Sequence, residues 1–254
     1  MIEFIILFII IIYIILINID GYYLLDYFNS ILKLENNDPI IYTRSRGLIN
    51  LKHNYDIIKE EYLQYQKNHK IPIFGEITKD QDYLSNDQID SKWRVVVLRM
   101  YNKDTNLCKY FPNTMKLLDL IPNISLIMFS ILEPHKKITP HRGVYHGVLR
   151  YHLGLITPSN YEDCFIVIDK NKYTWMDGDD IIFDDTYTHY VYNNTDESRV
   201  ILFLDIKKEY KNMILNMLND LLLLVFSYNI TTKDIVEKVE LYDTDTFGNN
   251  NSSN

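Results

Sequence analysis

The residues best suited to chemistry in this 254-residue chain are histidines, since five of the seven lie between residues 135 and 189. These five are His135, His141, His146, His152 and His189. Imidazole binds iron, zinc, copper and nickel, so a group of histidines on strands is a candidate metal site. His141 and His189 adjoin different predicted strands, and two such side chains can converge at the mouth of one barrel. Taken alone, the pair would be interpreted as ordinary surface or capping histidines.

Two arginines argue against that simpler interpretation. Arg150 lies on the predicted strand that follows His141, and Arg199 lies ten residues beyond His189. An arginine buried in a barrel needs an anion, and its planar guanidinium matches a carboxylate with two parallel hydrogen bonds. Two arginines beside a two-histidine metal site therefore suggest a dicarboxylate co-substrate. The alternative for each is an ion pair with a nearby aspartate of the chain: Asp179, Asp184, Asp185 or Asp205.

The elements that must position these residues are short strands. Seven apolar runs separated by turn residues are predicted as strands: Trp93–Tyr101, Ser125–Leu132, Gly147–Ile156, Cys164–Ile168, Asp180–Phe183, His189–Tyr192 and Arg199–Ile206. Their spacing favours an antiparallel sandwich or barrel over alternating strand–helix–strand units. A helix is predicted over Tyr55–Lys67, and apolar residues at helical spacing from Met213 to Val225 predict one C-terminal helix packed on the sheet.

The first twenty residues are a predicted membrane anchor. From Ile2 to Ile19 the sequence is apolar apart from Glu3 and Asn18, and eighteen helical residues span about 27 Å. That length is close to the hydrocarbon thickness of a thin bilayer such as that of the endoplasmic reticulum. The segment lacks the basic start and small-residue cleavage site of a signal peptide. We expect an uncleaved, single-pass signal-anchor in an endoplasmic-reticulum-like or other internal membrane; the flanking charges leave open whether the remaining chain is luminal.

Composition limits the class of protein. The chain is 47% hydrophobic and 24% charged, which is typical of a globular protein. A net charge of −8 argues against a nucleic-acid partner, because no basic face is available for the phosphates. Two cysteines exclude a disulfide scaffold and a cysteine-only zinc cluster. The predicted organisation is an anchor (1–20), an extension packed on the catalytic domain (21–90), the strand-rich domain (91–206), a helical segment (207–242) and a disordered tail (243–254).

Longer motifs surround the candidate residues. One comprises His141-Arg142-Gly143 and the run Leu149-Arg150-Tyr151-His152-Leu153-Gly154-Leu155. The other comprises Trp175-Met176-Asp177-Gly178, Asp184-Asp185-Thr186-Tyr187-Thr188-His189 and Arg199-Val200-Ile201. In order, spacing and residue type, residues 93–205 closely resemble the aspartyl/asparaginyl β-hydroxylase family.

The resemblance implies a mainly β fold, in which flanking helices surround a double-stranded β-helix (jelly-roll or cupin-like) core. It implies an enzyme that uses Fe(II), O₂ and 2-oxoglutarate. Most relatives of that superfold hold iron with two histidines and one carboxylate, but the family has a glycine at the carboxylate position, here Gly143. By this resemblance His141 and His189 are the only protein ligands of the metal. Asp184 and Asp185 are interpreted as turn or supporting groups that orient His189.

The same resemblance assigns the co-substrate site. Ser130 and Arg199 would hold the distal carboxylate of 2-oxoglutarate, and Arg150 with His152 would hold the end near the metal. Because imidazole must be neutral to bind a metal, we expect activity to fall below about pH 6.

The implied reaction is hydroxylation of Cβ in aspartyl or asparaginyl residues of a protein or peptide substrate, with release of succinate and CO₂. A lipid acyl chain is an alternative substrate, because bacterial lipid A hydroxylases share this domain and a membrane anchor suits a lipid. A different class of function is an inactive barrel kept as a binding or structural protein. The partner cysteine that the family has shortly after Cys108 is missing, so pairing of Cys108 with Cys164 stays open.

Overall fold

The computed structural model describes residues 21–35, 38–78 and 91–248. The predicted anchor at 1–20 and the last six residues of the predicted tail lie outside these ranges. Within the described ranges, no single helix is long and apolar enough to cross a membrane. One bent pair, Met213–Tyr228 followed by Thr231–Asp243 at 50°, meets the requirement by length and composition only.

Two antiparallel sheets form the body of the protein. Their strands are β1 (Ile40–Ile41), β2 (Trp93–Met100), β3 (Lys103–Asp104), β4 (Ile124–Leu132), β5 (Lys137–His141), β6 (Val148–Ile156), β7 (Cys164–Ile168), β8 (Asn171–Thr174), β9 (Asp180–Phe183), β10 (His189–Asn193) and β11 (Arg199–Lys207). The larger sheet has the order β1-β9-β6-β11-β4-β2-β3, and the smaller has the order β5-β10-β7-β8. All seven predicted strands are confirmed to within one residue at each end.

Alternation of side chains turns the candidate residues inward. Along β10, His189, Val191 and Asn193 are buried, whereas Tyr190 and Tyr192 between them are partly exposed. This is the period of two that a strand imposes when one of its faces meets the core. Apolar residues of both sheets share that core. A side chain at position 189 therefore lies between the sheets.

Helices cover the sheets. They are α1 (Gly21–Leu32), α2 (Arg46–His53), α3 (Tyr55–Asn68), α4 (Phe74–Ile77), α5 (Pro112–Leu118), α6 (Met213–Tyr228) and α7 (Ile230–Gly248), with short 3₁₀ helices at Asn106–Tyr110 and Tyr161–Asp163. The predicted helix over Tyr55–Lys67 is confirmed as α3. Its buried Tyr62 ring lies 5.2 Å from the Phe129 ring of β4, so α3 packs directly on the larger sheet.

The C-terminal region differs from the prediction. The helix predicted over Met213–Val225 is confirmed as α6. A second helix, α7, follows it because Asn229 adopts an extended conformation (φ −63°, ψ 146°) and its Oδ1 accepts a hydrogen bond from the Thr231 N–H at 2.8 Å. The second helix continues to Gly248, so residues 243–248 are helical and not part of a disordered tail. The buried carboxylate of Asp243, 2.9 Å from the Lys109 ammonium, holds this part of α7 against the 3₁₀ helix at Asn106–Tyr110. Cys108 and Cys164 are both free thiols.

Candidate active site

The pocket between the sheets collects most of the predicted site residues. Its lining consists of Trp93, Ser130, Ile138, His141, Arg150, His152, Ile166, Phe183, His189, Val191, Arg199 and Phe203. All six residues assigned to metal or co-substrate are in this set. His135 and His146 lie elsewhere: His135 forms a surface ion pair with Asp196 at 2.9 Å, and His146 contacts the Thr186 hydroxyl at 3.2 Å.

The two predicted metal ligands face each other across neighbouring strands. His141 on β5 and His189 on β10 are register partners, and their ring centroids are 4.2 Å apart. The Nδ1 of His141 is 2.8 Å from the Thr139 carbonyl oxygen, and the Nδ1 of His189 is 2.9 Å from that of Tyr187. A carbonyl can only accept, so each Nδ1 carries the proton and donates it. This leaves Nε2 of both rings with a free lone pair, the form in which histidine binds a metal.

Burial keeps both imidazoles neutral. It lowers the pKa of His141 below its ordinary value and lowers the pKa of His189 to about 3. The facing His141 and the Arg150 guanidinium lower the pKa of His189 further, because a proton on His189 would be repelled by the charge of Arg150 and by any proton on His141. The expected loss of activity below pH 6 assumed ordinary histidines. We now expect the acid limit set by these two rings to lie lower.

Stability should reveal these lowered pKa values. An unfolded His189 titrates near 6.5 and the folded one near 3, so only the unfolded chain takes up a proton between these values. The free energy of unfolding should therefore fall as the pH decreases below about 6.5, by up to about 1.4 kcal/mol per pH unit for this residue. In urea unfolding between about pH 7 and 5, the variant His189→Gln should show the shallower slope. An unchanged slope would contradict this, and His135→Gln at the surface is the matched control.

Arg199 is a buried cation with no counter-ion among residues 21–35, 38–78 and 91–248. Its side chain is 2% exposed, and its Nε and NH1 have no hydrogen-bond partner in the described part of the chain. The guanidinium lies over the Trp175 ring, 5.2 Å from its centroid. Burial lowers the pKa of Arg199, but arginine still keeps its proton in proteins. A desolvated positive charge is costly unless an anion binds it, so the geometry indicates an anion site.

Ser130 and His152 add donors to this end of the pocket. The Ser130 Oγ accepts a hydrogen bond from the Trp93 Nε1–H at 2.9 Å, which leaves the serine proton available to an acceptor. Both ring nitrogens of buried His152 lack a partner among the described residues. Burial, and then the charges of Arg199 and Arg150, lower the pKa of His152 well below its ordinary value. The neutral ring therefore offers one N–H to a ligand.

Arg150 differs from Arg199 because it has partners within the protein. Its Nε and NH2 donate to the two carboxylate oxygens of Asp205 at 2.9 and 3.1 Å. Its NH2 is also 2.9 Å from Oδ2 of Asp185. These two carboxylates raise the pKa of Arg150 against the effect of burial. Arg150 thus forms the ion pairs with aspartates that were the alternative to binding a co-substrate. Its contact with a co-substrate remains a prediction.

Gly143 and Asp185 share one small space beside the histidines. The Gly143 N–H donates to the Asp185 carbonyl oxygen at 2.8 Å. A Cβ built at Gly143 would overlap the Asp185 carboxylate, so the absence of a side chain at 143 is what admits that carboxylate. Burial raises the pKa of Asp185 to about 7, against the opposing influence of Arg150.

The two aspartates support the turn that precedes His189: the Asp185 backbone also hydrogen-bonds to His189, and Asp184 acts within the turn as predicted. His189 Nδ1 is bonded to the Tyr187 carbonyl, as described above. Asp184 accepts hydrogen bonds from the backbone N–H and the hydroxyl of Thr186, at 3.1 and 2.6 Å, and lies 3.8 Å from the buried Lys208 ammonium. Its carboxylate therefore stabilises the turn that precedes β10.

Two tryptophans were not predicted as site residues. Trp93 was interpreted only as the first residue of a strand, yet it lines the pocket and bonds to Ser130. Trp175 lies beneath the Arg199 guanidinium. Period-two alternation along β2 could have revealed Trp93, because Trp93, Val95 and Val97 share one face of the strand.

No group of three or more His, Cys, Asp or Glu that could hold a metal ion occurs within 21–35, 38–78 and 91–248.

The fold and the pocket define a mainly β protein whose two antiparallel sheets enclose a pocket with two facing histidines and a buried arginine. Comparison with known proteins assigns it more closely: residues 52–209 match the aspartyl/asparaginyl β-hydroxylase family. The chain belongs to this family of hydroxylases. The resemblance noted in its motifs is thereby confirmed.

Individual relatives match over part of their length. The ornithine lipid ester-linked acyl 2-hydroxylase of Rhizobium tropici is 39% identical over 144 residues, which are 56% of this chain and 50% of the relative. Human aspartyl/asparaginyl β-hydroxylase is 34% identical over 109 residues, which are 41% of this chain and 14% of the relative. The chain therefore matches half or less of each of these proteins. A prolyl-4-hydroxylase structure from Pseudomonas putida has a TM-score of 0.44 at 10% identity, covering 62% of this chain and 88% of that chain.

Proposed function

We propose that the protein is an Fe(II)- and 2-oxoglutarate-dependent dioxygenase. The observation that carries this proposal is the buried Arg199, which has no counter-ion in the described part of the chain, in the same pocket as two facing histidines with free Nε2 lone pairs. The histidines fit a metal, and the arginine fits a carboxylate. An inactive binding barrel would not require a desolvated cation and a metal-binding pair in one cavity.

When bound, iron with O₂ and 2-oxoglutarate would supply the oxidising power for hydroxylation of a C–H bond, with succinate and CO₂ as products. His141 and His189 would hold the metal, and burial keeps both rings in the neutral form that binding requires. Arg199 and the Ser130 hydroxyl would hold the distal carboxylate. His152 and Arg150 would contact the end of the co-substrate near the metal. The apolar walls formed by residues such as Phe203 would exclude water from the reacting centre.

We propose the substrate first as a chemical class and then as two particular candidates. A β-hydroxylase of aspartyl or asparaginyl residues and a 2-hydroxylase of acyl chains both act on a carbon next to a carbonyl group. We therefore propose a methylene carbon beside a carbonyl as the site of hydroxylation. Aspartyl or asparaginyl residues of a protein were predicted first. A lipid acyl chain is the second candidate, favoured by the longer match and higher identity to the ornithine lipid enzyme.

The test uses the full chain, purified in detergent under anaerobic conditions. We would measure conversion of 2-oxoglutarate to succinate with Fe(II), O₂ and ascorbate in the wild type, His189→Ala and His135→Ala. Loss of a metal ligand should reduce succinate formation at least about 100-fold in His189→Ala. The exposed His135 is the matched control, and its variant should retain wild-type turnover. Equal turnover in all three proteins, or none in the wild type together with no binding of 2-oxoglutarate, would refute the proposal.

Mass spectrometry then separates the two substrates. A peptide rich in aspartate and asparagine and an ornithine lipid would each be incubated with the active enzyme, and incorporation of one oxygen atom would be followed. Oxygen in the peptide but not in the lipid would support the first candidate. The reverse result would support the second.

A further inference from the structure

The solvent-facing side of α6 is apolar. Six positions of this helix are exposed, and five of them carry an apolar or tyrosine side chain: Met213, Ile214, Met217, Leu224 and Tyr228. We call these five residues the α6 outer face. The sixth exposed position is Asp220, whose carboxylate accepts a hydrogen bond from Lys207 at 2.7 Å. Surface helices of globular proteins normally carry polar residues on this side.

The opposite side of α6 is firmly packed on the protein. Leu215, Leu222 and Leu223 are buried in a cluster with Phe28 and Leu32 of α1. In addition, the side-chain amide of buried Asn219 donates to the Gly147 and Lys208 carbonyl oxygens at 2.9 and 3.1 Å. Because the inner side of α6 is already buried, the helix is in its packed position, and the outer face is not a part of the hydrophobic core. An apolar patch that stays exposed on a packed helix marks an interaction site.

Exposed apolar side chains also occur on α1 and on the segment that α1 contacts. Tyr27 and Leu34, in and just after α1, are 62% and 77% exposed. Val144 is 62% exposed, and its carbonyl oxygen accepts a hydrogen bond from the Asn29 amide of α1 at 2.6 Å. At the C-terminal end of α6 the Lys103 ammonium lies over the Tyr228 ring, 5.4 Å from its centroid. Tyrosine and lysine at the margin of an apolar surface suit the boundary between lipid and water.

Continuity of the chain identifies the occupant. The apolar run Ile2–Ile19 is separated from the first residue of α1 only by Asp20. If that run enters a bilayer, α1 and the helix packed on it lie at the membrane surface. The 16 residues of α6 reach about 24 Å, and the Asn219 hydrogen bonds hold the helix on the catalytic domain. Such a helix lies along a membrane and does not cross it.

We propose that the α6 outer face, together with Tyr27, Leu34 and Val144, rests on a phospholipid bilayer. Val144 belongs to the segment that directly follows His141. Docking of this surface would therefore place one rim of the candidate active site beside the lipid headgroups. The proposal does not depend on the oxygenase chemistry, and its test does not use activity.

Quenching of tryptophan fluorescence by lipids tests the proposal. Full-length Met217→Trp and Lys172→Trp would be reconstituted into phosphatidylcholine vesicles with or without brominated acyl chains. The native Trp93 and Trp175 are 7% and 1% exposed and give the same background in both variants. Lys172 is an exposed residue of β8 in the smaller sheet and serves as the matched control. Brominated lipid should lower the added emission of Met217→Trp about twofold or more and leave that of Lys172→Trp unchanged.

Each other outcome would overturn the proposal. Equal quenching of both variants would show that lipid does not contact the α6 outer face selectively. Quenching of neither, while the protein floats with the vesicles, would show that the face does not touch lipid. Failure of the protein to float with the vesicles would do the same. Concentration-dependent protection of Met217→Trp from an aqueous quencher, without lipid quenching, would instead identify a second copy of the chain as the occupant. None of these measurements depends on turnover. Failure of the membrane proposal can therefore be distinguished from failure of the oxygenase proposal.

Discussion

Replacing Arg199 by methionine should abolish turnover of 2-oxoglutarate and at the same time stabilise the ligand-free protein. The wild-type guanidinium is buried with two unpartnered nitrogens, so its removal relieves a desolvation cost of about 1–3 kcal/mol. Binding of a dicarboxylate should weaken at least about 100-fold, because the charge that would contact it is gone. Residues that serve the fold alone do not show this combination of lost function and higher stability.

Thermal unfolding with and without 2-oxoglutarate measures both effects. A ligand that binds only the folded state raises the unfolding temperature, so the co-substrate should raise it for the wild type and not for Arg199→Met. The exposed Arg46 at the start of α2 is the matched control. Its methionine variant should retain both the ligand response and the wild-type unfolding temperature. If Arg199→Met unfolded at a lower temperature than the wild type and still responded to 2-oxoglutarate, Arg199 would be a structural residue.

The second largest expected effect, on stability and on Fe(II) affinity, comes from moving a carboxylate from position 185 to position 143. The single variant Gly143→Asp places a Cβ where the Asp185 carboxylate lies, and it adds a further carboxylate directly beside that of Asp185. We expect it to lose about 3 kcal/mol of stability or more. Combining it with Asp185→Gly removes both the overlap and the added charge. The double variant should fold and bind Fe(II) more tightly than the wild type, because a third protein ligand becomes available.

Anaerobic Fe(II) titration and thermal unfolding of the wild type, both single variants and the double variant test this expectation. Asp185→Gly alone is the essential control, since Arg150 keeps its bidentate contact with Asp205 in that protein. A Gly143→Asp single variant as stable as the wild type would show that position 143 has room for a side chain. An Fe(II) affinity unchanged in the double variant would show that position 143 does not face the metal.

The strands and the histidine pair could be predicted from sequence, because both depend on local patterns. A short apolar run after a turn predicted β10 and placed His189 at its start, and the burial pattern of the strand then turns His189 inward. The strand that carries His141 was missed. Its sequence, Lys137-Ile138-Thr139-Pro140-His141, has one buried apolar residue and a proline, so its pairing with β10 depends on tertiary structure and not on strand propensity.

Charge partners were beyond sequence reasoning for a different reason. Arg150 and Arg199 occur in equivalent strand contexts, and each had several aspartates as possible partners. Only folding brings Asp205, 55 residues away, against Arg150 and leaves Arg199 over Trp175. The proton positions on the histidines also depend on backbone carbonyls, at Thr139 and Tyr187, whose directions no residue pattern specifies.

The pairing of β5 with β10 has a consequence for the rigidity of the smaller sheet. His141 and His189 are register partners at the end of an edge strand whose pairing is interrupted by an irregularity between His189 and Val191. A metal held by both rings would act as a cross-link between the two strands. Loss of metal and fraying of β5 would then be one coupled equilibrium. Iron supply would control the local rigidity of the sheet edge, and the apoprotein would expose that edge to proteolysis first.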